Sequence, residues 1–429
     1  MNASSSPSSR RLNRRRFLQA TAAGGFAPVV AGRAEPLAAR GLQGPTTTGP
    51  SPMTGADVGS LFPFIQKQAV QGEFPMSFLN PRFSAVGDWT TTARARVMDL
   101  LHYAPPPCDP AAETVERVDC GDYIREHVTF STTPDVRVPA FVLVPKAASP
   151  ANRLPAIVAL HDHGGFYLWG KEKLVAVDGE HPVLSEFRQR SYGGRSIAIE
   201  LVRRGYVVVV IDMFYWGDRR MLLDDDPADW RERPATMSAE RVQAFNARAS
   251  QNEQLVGRTL YSAGITWPGV MFWDDIRTVD YLRSRPDVDP ARIGCVGLSV
   301  GAVRASHLTA LDERIKAGVV VCWMTSFPTQ LKKHIRNTIG HTKVVPGLYR
   351  HLDYPDVASI AMPRPLLLVS GTRDGLFNLD GVKASFAKLN ACYAKAGVPD
   401  RCRTRLYDSP HQFNDEMQAE AWAWLARFV

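Results

Sequence analysis

Ile293-Gly294-Cys295-Val296-Gly297-Leu298-Ser299-Val300-Gly301-Ala302 reads as an apolar strand that breaks abruptly into a helix. Residues 293–296 have the continuous apolar character of a strand buried on both faces, and residues 302–310 have helix-compatible composition. Between them stands Gly-Leu-Ser-Val-Gly. Small residues on both sides of a serine permit a sharp, strained strand-to-helix turn that pushes the hydroxyl out above a sheet. The helix amino terminus behind it favours negative charge on an attacked carbonyl oxygen. The segment therefore predicts a parallel α/β sheet and a nucleophile, Ser299, at the carboxyl end of one of its strands.

Similar apolar runs occur at 156–160, 207–211, 319–322 and 366–370, separated mostly by segments with helical spacing, and 403–407 supplies a last strand. Continuous rather than alternating apolar strands are what a parallel sheet covered by helices on both faces requires. Residues 124–130 and 138–144, with Pro134-Asp135 as the turn, predict an antiparallel hairpin at the sheet edge. The fold class is α/β: a mostly parallel central sheet flanked by helices, with an N-terminal helical arm (57–122) and a helical insertion (219–268). Within the arm, 61–70 and 89–101 have helical character. The insertion follows a strand's carboxyl end, where ligands of open α/β sheets bind, so it is expected to act as a lid; a peripheral helical decoration is the alternative.

A serine hydroxyl needs a base within hydrogen-bond reach. In a sheet of this kind the chain order is Ser, acid, His, which leaves His307, His334, His341, His351 and His411. His307 lies on the helix leaving the turn and would point away, and the next three precede the 366–370 strand in a Lys/Arg-rich segment. His411 follows the last strand and precedes an amphipathic helix, 414–428, that can anchor its loop, so His411 is the expected base. Asp374, just past the 366–370 run, is the expected acid, which would fix the His411 tautomer and stabilise its imidazolium. Asp380 is its rival, while Asp353 and Asp356 read as solvated loop or capping residues. An oxyanion hole is expected from the N–H of Val300 and from the loop Leu160-His161-Asp162-His163-Gly164-Gly165, at His163 and Gly164, where glycine lets the backbone approach a substrate. His161 and His163 also suggest a metal, but no third ligand is identifiable by spacing, and neither a metal nor a cofactor is expected.

The composition, 45% hydrophobic and 22% charged, excludes a disordered or fibrous chain. The formal net charge of +8 is unevenly placed: residues 1–40 hold seven arginines against Glu35, which is +6, and the remaining 389 residues hold 44 basic and 42 acidic side chains, which is +2. A near-neutral body offers no electrostatic footprint for nucleic acid. Asn13-Arg14-Arg15-Arg16-Phe17-Leu18, a short apolar stretch over 17–31 and small residues Gly32 and Ala34 look like a twin-arginine export signal over 1–34, followed by a flexible linker over 35–56. The twin-arginine export machinery would then be a partner, with a periplasmic or secreted destination and no stable membrane insertion after cleavage. In such a compartment Cys108 with Cys120, and Cys392 with Cys402, could pair; Cys295 and Cys322, within apolar runs, read as buried thiols.

Taken in order, the His-x-His-Gly-Gly loop, Ile211-Asp212-Met213 with Gly217-Asp218-Arg219-Arg220, Trp273-Asp274-Asp275-Ile276-Arg277, Gly-x-Ser-x-Gly, Gly371-Thr372-Arg373-Asp374 and late His411 resemble the α/β-hydrolase superfamily. Within it the chain is similar to secreted acetyl xylan esterase-like and dienelactone hydrolase-like serine esterases over roughly residues 60–429. The resemblance implies a Ser299-His411-Asp374 triad, an acyl-enzyme intermediate and a small-molecule or saccharide ester as substrate. Two departures matter. Dienelactone hydrolases proper use a cysteine where this chain has Ser299, and Asp162 stands where many esterases have glycine, which leaves open which N–H completes the oxyanion hole. A peptidase of the prolyl oligopeptidase type and a non-catalytic binding protein on the same fold are the rival expectations.

Overall fold

The computed structural model describes residues 53–429; the expected export signal and nearly all of the linker lie outside the described residues. Nine strands form one sheet: β1 Glu113–Asp119, β2 Tyr123–Thr133, β3 Val136–Pro145, β4 Leu154–Leu160, β5 Val207–Ile211, β6 Val288–Leu298, β7 Ile315–Val321, β8 Leu366–Gly371 and β9 Cys402–Tyr407. Their spatial order is β1-β2-β3-β5-β4-β6-β7-β8-β9. β4 to β9 run parallel, whereas β1 to β3 are antiparallel and β3 joins the parallel part against β5. Every residue of β5 and β8 is buried, as strands with helices on both faces must be.

The hairpin forms at the predicted turn, with Thr133 paired to Val136 around Pro134 and Asp135. Outside it lies β1, in a part of the chain read from sequence as a helical arm. The helices Phe62–Gln68 and Val86–Leu100 are present, the second burying Trp89, Ala93 and Val97 at intervals of one helical turn. β1 carries no comparable signal. Nearly all of its residues are exposed, and it is held by main-chain pairing to β2 with the weak cross-strand ion pairs Arg125–Glu116 and Arg117–Glu126 at 3.7 and 3.8 Å. A strand without an apolar face leaves no periodicity to read. All six cysteines are free thiols, with Cys392 and Cys402 buried rather than in polar loops.

Sheet order places the chemistry. From β4 the chain crosses to β5 on one side and later to β6 on the other, so the order reverses between β4 and β6, and their carboxyl ends open into one crevice. Leu160 is in register with Gly297, which sets the loop after β4 beside the turn after β6. No helix of the described residues is long and apolar enough to cross a membrane.

Candidate active site

Ser299 occupies the turn between β6 and the helix Val300–Leu311 with φ 58° and ψ −119°, a conformation that costs a β-carbon-bearing residue on the order of 1–3 kcal/mol. Its surroundings enforce that geometry. A Cβ on Gly297 would lie 2.2 Å from the backbone of Gly301, and one on Gly301 would lie 2.0 Å from the Leu160 carbonyl oxygen, so only glycine lets the turn close this tightly against β4. The Ser299 N–H donates to Val321 O at 2.9 Å. The helix that follows is wholly buried and is pinned by Arg304, which donates to both carboxylate oxygens of Asp275 at 2.6 and 3.0 Å.

Asp374 lies three residues past β8, and its Oδ2 accepts a hydrogen bond from His411 Nδ1 at 2.7 Å. The carboxylate side chain is 1% exposed against 21% for the imidazole. His411 Nε2 is buried and has no hydrogen-bond partner among the described residues, so with Nδ1–H committed to Asp374 it is left as a free acceptor. The loop carrying His411 is anchored on both sides: Cys322 Sγ–H donates to Gln412 O at 3.5 Å, Phe413 N–H donates to Ser191 O at 2.8 Å, and Gln418 donates to Phe413 O at 2.6 Å. Ser299 and His411 line one cavity of about 520 Å³ with Asp162, His163, Gly164 and Glu253.

The loop after β4 is held by groups that the sequence did not single out. Lys173, fully buried, donates through Nζ to Asp162 O at 2.8 Å and to His163 O at 2.9 Å. In a trans peptide the N–H points opposite to its carbonyl, so one ammonium orients the N–H groups of both His163 and Gly164. Neither of these, nor the N–H of Val300, has a protein acceptor among the described residues. Burial pushes the Lys173 pKa down to about 8, against the pull of Asp162 and Asp212. Gly164 and Gly165 take φ of 60° and 64°, and the Asp162 side chain turns inward to accept from Tyr192 Oη at 2.5 Å.

Both histidines of this loop are committed within the protein. His161 Nδ1 lies 2.9 Å from Asp162 O, while its Nε2 accepts from the Met213 N–H at 3.1 Å, and burial holds it well below the usual histidine range. His163 Nδ1 accepts from the Gly165 N–H at 3.0 Å and its Nε2–H donates to Glu253 at 2.7 Å. Neither ring is left free for a metal. One group of possible ligands, Cys322 with Asp374 and His411, has its donor atoms within 4.8 Å of one another. Burial and Asp374 push that thiol up to about 12, which disfavours the thiolate a metal needs.

Glu253 stands on the helix Ala239–Ser262 of the insertion. Its Oε1 also accepts from Tyr167 Oη at 3.0 Å, while Asn246 on the same helix accepts from the N–H groups of Tyr167 and Leu168 at 2.8 and 3.2 Å. This helix thus closes one side of the cavity and is bonded directly to the loop after β4. Of the aromatic side chains near strand ends, Tyr167 lines the cavity; Trp216, Trp267 and Trp323 are buried in edge and stacking contacts.

The motif carboxylates that are not catalytic candidates serve as buried braces. Asp212 accepts from Lys171 Nζ at 2.8 Å and from the Lys171 N–H at 2.7 Å, and Asp218 accepts from Lys171 Nζ at 2.6 Å. Burial opposes the Lys171 charge, yet the surrounding carboxylates of Asp212, Glu172 and Asp218 raise its pKa overall. Asp353 caps the helix Tyr354–Ser359 in a reciprocal capping box with Asp356; both are buried, not solvated, and Lys388 pairs with Asp356 at 2.8 Å. Asp380 lies in the first turn of the helix Leu379–Lys395 and is not the partner of His411 Nδ1, which bonds to Asp374. His307 is buried, stacked on Phe272 at 4.1 Å, and bonded to Val303 O.

Sheet order, turn geometry and the placement of acid and histidine after successive strands define the α/β-hydrolase fold. The Abhydrolase family matches residues 234–420. The Bacillus subtilis (strain 168) protein YtaP, a hydrolase by name, is 27% identical over 336 residues, covering 78% of this chain and 98% of its own length. Among solved structures, a Bacteroides fragilis protein described as an acetyl xylan esterase superposes with a TM-score of 0.62 at 19% identity, over 80% of this chain and 81% of that one. A glucuronoyl esterase from Solibacter usitatus does so with a TM-score of 0.54 at 14% identity, over 84% and 99%. At these identities the structures share the fold.

Proposed function

We propose that the protein is an exported serine hydrolase of carboxylic esters. The observation that carries this is the convergence of an outward-held Ser299 and an Asp374-oriented His411 on one cavity beside the backbone N–H groups of His163, Gly164 and Val300, which lack protein acceptors among the described residues. Ser299 attacks the ester carbonyl while His411 Nε2 takes its proton. The resulting oxyanion is received by the N–H of Val300 and of the His163-Gly164 segment. His411 returns the proton to the leaving alcohol, and water releases the acyl group by the same route. Two structural relatives, described as an acetyl xylan esterase and a glucuronoyl esterase, support an ester on a saccharide or small molecule as substrate. The paired arginines at 14–16 and the apolar stretch behind them support export. A peptidase of the prolyl oligopeptidase type is less well supported, because the described residues before β2 form helices and one strand, not a propeller.

The test is labelling of the folded protein with a fluorophosphonate, read by peptide mass spectrometry alongside turnover of matched ester and anilide substrates. A single adduct on Ser299 and ester turnover far above anilide turnover are expected. A folded sample that takes no label overturns the reading.

Within this mechanism Lys173 is a positioning residue, acting through the peptides of His163 and Gly164. Lys173→Met is expected to lower kcat by at least about tenfold, a fraction of the loss that follows complete removal of an oxyanion donor, with KM little changed. An equal rise in KM at constant kcat would place Lys173 in substrate binding instead.

A further inference from the structure

The cavity in front of Ser299 is uneven in how its charges are used. Its lining includes two carboxylates, Asp162 and Glu253, and three cations away from the triad, Arg190, Arg336 and Lys343. Both carboxylates are engaged by protein donors: Asp162 by Tyr192, Glu253 by His163 and Tyr167. None of the three cations pairs with a carboxylate among the described residues. The Arg190 guanidinium lies over the Phe187 ring at 5.4 Å, and the side chain of Arg336 reaches only the Asp57 carbonyl, at 3.5 Å. Lys343 Nζ has no acceptor at all among the described residues, although burial pushes its pKa down to about 8 against the pull of Glu253.

Arg336 and Lys343 stand on one segment between β7 and β8. Between them Thr342 is buried, and its Oγ1 also lacks a partner. This wall therefore presents a guanidinium, an ammonium and an unsatisfied hydroxyl to the space in which Ser299 would meet its substrate. Lys343 is partly buried, and an anionic oxygen bound in the cavity gives its ammonium a charge-assisted hydrogen bond, the strong kind, where the protein offers no acceptor. A neutral ester alone brings no counter-charge to the two cations.

We propose that the preferred substrates are esters that carry a free carboxylate elsewhere in the molecule, received by Lys343 together with Arg336. This rests on the ester-hydrolase reading and narrows its substrate class. The carboxylate is bound as an anion and takes no part in bond making; the acyl transfer is unchanged.

The experiment compares acids with their neutral carboxamides in two matched pairs. Monophenyl adipate against phenyl adipamate places the charge on the acyl side; 6-acetoxyhexanoate against 6-acetoxyhexanamide places it on the alcohol side. In one pair the acid is expected to show at least about tenfold higher kcat/KM, the effect of one charge-assisted hydrogen bond. That ratio should fall toward one in Lys343→Met and in Lys343→Gln, the second of which keeps hydrogen-bond donors and removes only the charge. Equal kcat/KM for acid and amide in both pairs overturns the proposal. So does a preference that survives the double replacement Lys343→Met and Arg336→Met. If neither pair is turned over by protein that takes the fluorophosphonate label, protection decides: adipate slowing the labelling of Ser299 more than adipamide supports the site, and equal protection sinks it. A folded protein that takes no label removes the hydrolase reading itself, a separate result.

Discussion

Ser299→Ala is expected to abolish ester turnover, lowering kcat by about 10⁴-fold or more while the protein keeps its fold and its affinity for a product carboxylate. The size follows from the chemistry: the replacement removes the only atom that forms the covalent intermediate and leaves the oxyanion donors to assist attack by water alone. Stability should change little, because the Ser299 side chain makes no hydrogen bond to cap the helix behind it. Alanine still has to accept φ 58°, a cost the serine already bears. Initial rates on a phenyl ester, with thermal unfolding as the control, measure both effects. Retained turnover within tenfold of the parent would remove Ser299 from the mechanism.

Asp374→Asn should be nearly as severe, with kcat down by about 10³- to 10⁴-fold and KM close to unchanged. Asp374 is buried and accepts from His411 Nδ1 at 2.7 Å, which keeps the proton on Nδ1 and the lone pair on Nε2, where the serine proton must go. An asparagine that turns its amide nitrogen to Nδ1 reverses this. The ring then carries its proton on Nε2 and cannot act as a base. The carboxylate's stabilisation of the imidazolium formed during attack is lost as well. Asp380→Asn is the matched control and should leave kcat within a few-fold, since that residue stands in the first turn of a helix and makes no hydrogen bond to His411. If the two variants were interchanged in effect, the acid would be Asp380.

The parallel core and the catalytic candidates could be read in the linear chain for a common reason: each depends on local pattern. The runs at 207–211 and 366–370 coincide with β5 and with all but the last residue of β8, because strands covered on both faces must be apolar throughout. Gly297 and Gly301 flank Ser299 because a close approach of backbones leaves no room for a Cβ, a requirement that depends on a few neighbouring residues. β1 went unseen because it has no buried face, and the inward turn of Asp353 and Asp356 went unseen because capping and burial look alike in polar sequence.

Residues that act across the sheet were beyond reach of any pattern. Nothing in Lys171-Glu172-Lys173 distinguishes a solvated charged run from three buried side chains, one of which holds two peptides of the loop after β4. Glu253 is one acid on a long polar helix until that helix packs beside His163, 90 residues earlier in the chain. The sequence by itself determined the buried strands, the strained serine turn and the order of serine, acid and histidine, since each follows from local pattern along the chain. Only the tertiary structure decided which carbonyls Lys173 holds, which helix closes the cavity and which cations are left without partners. Those outcomes depend on distances between segments far apart in sequence, and only the packed sheet sets them.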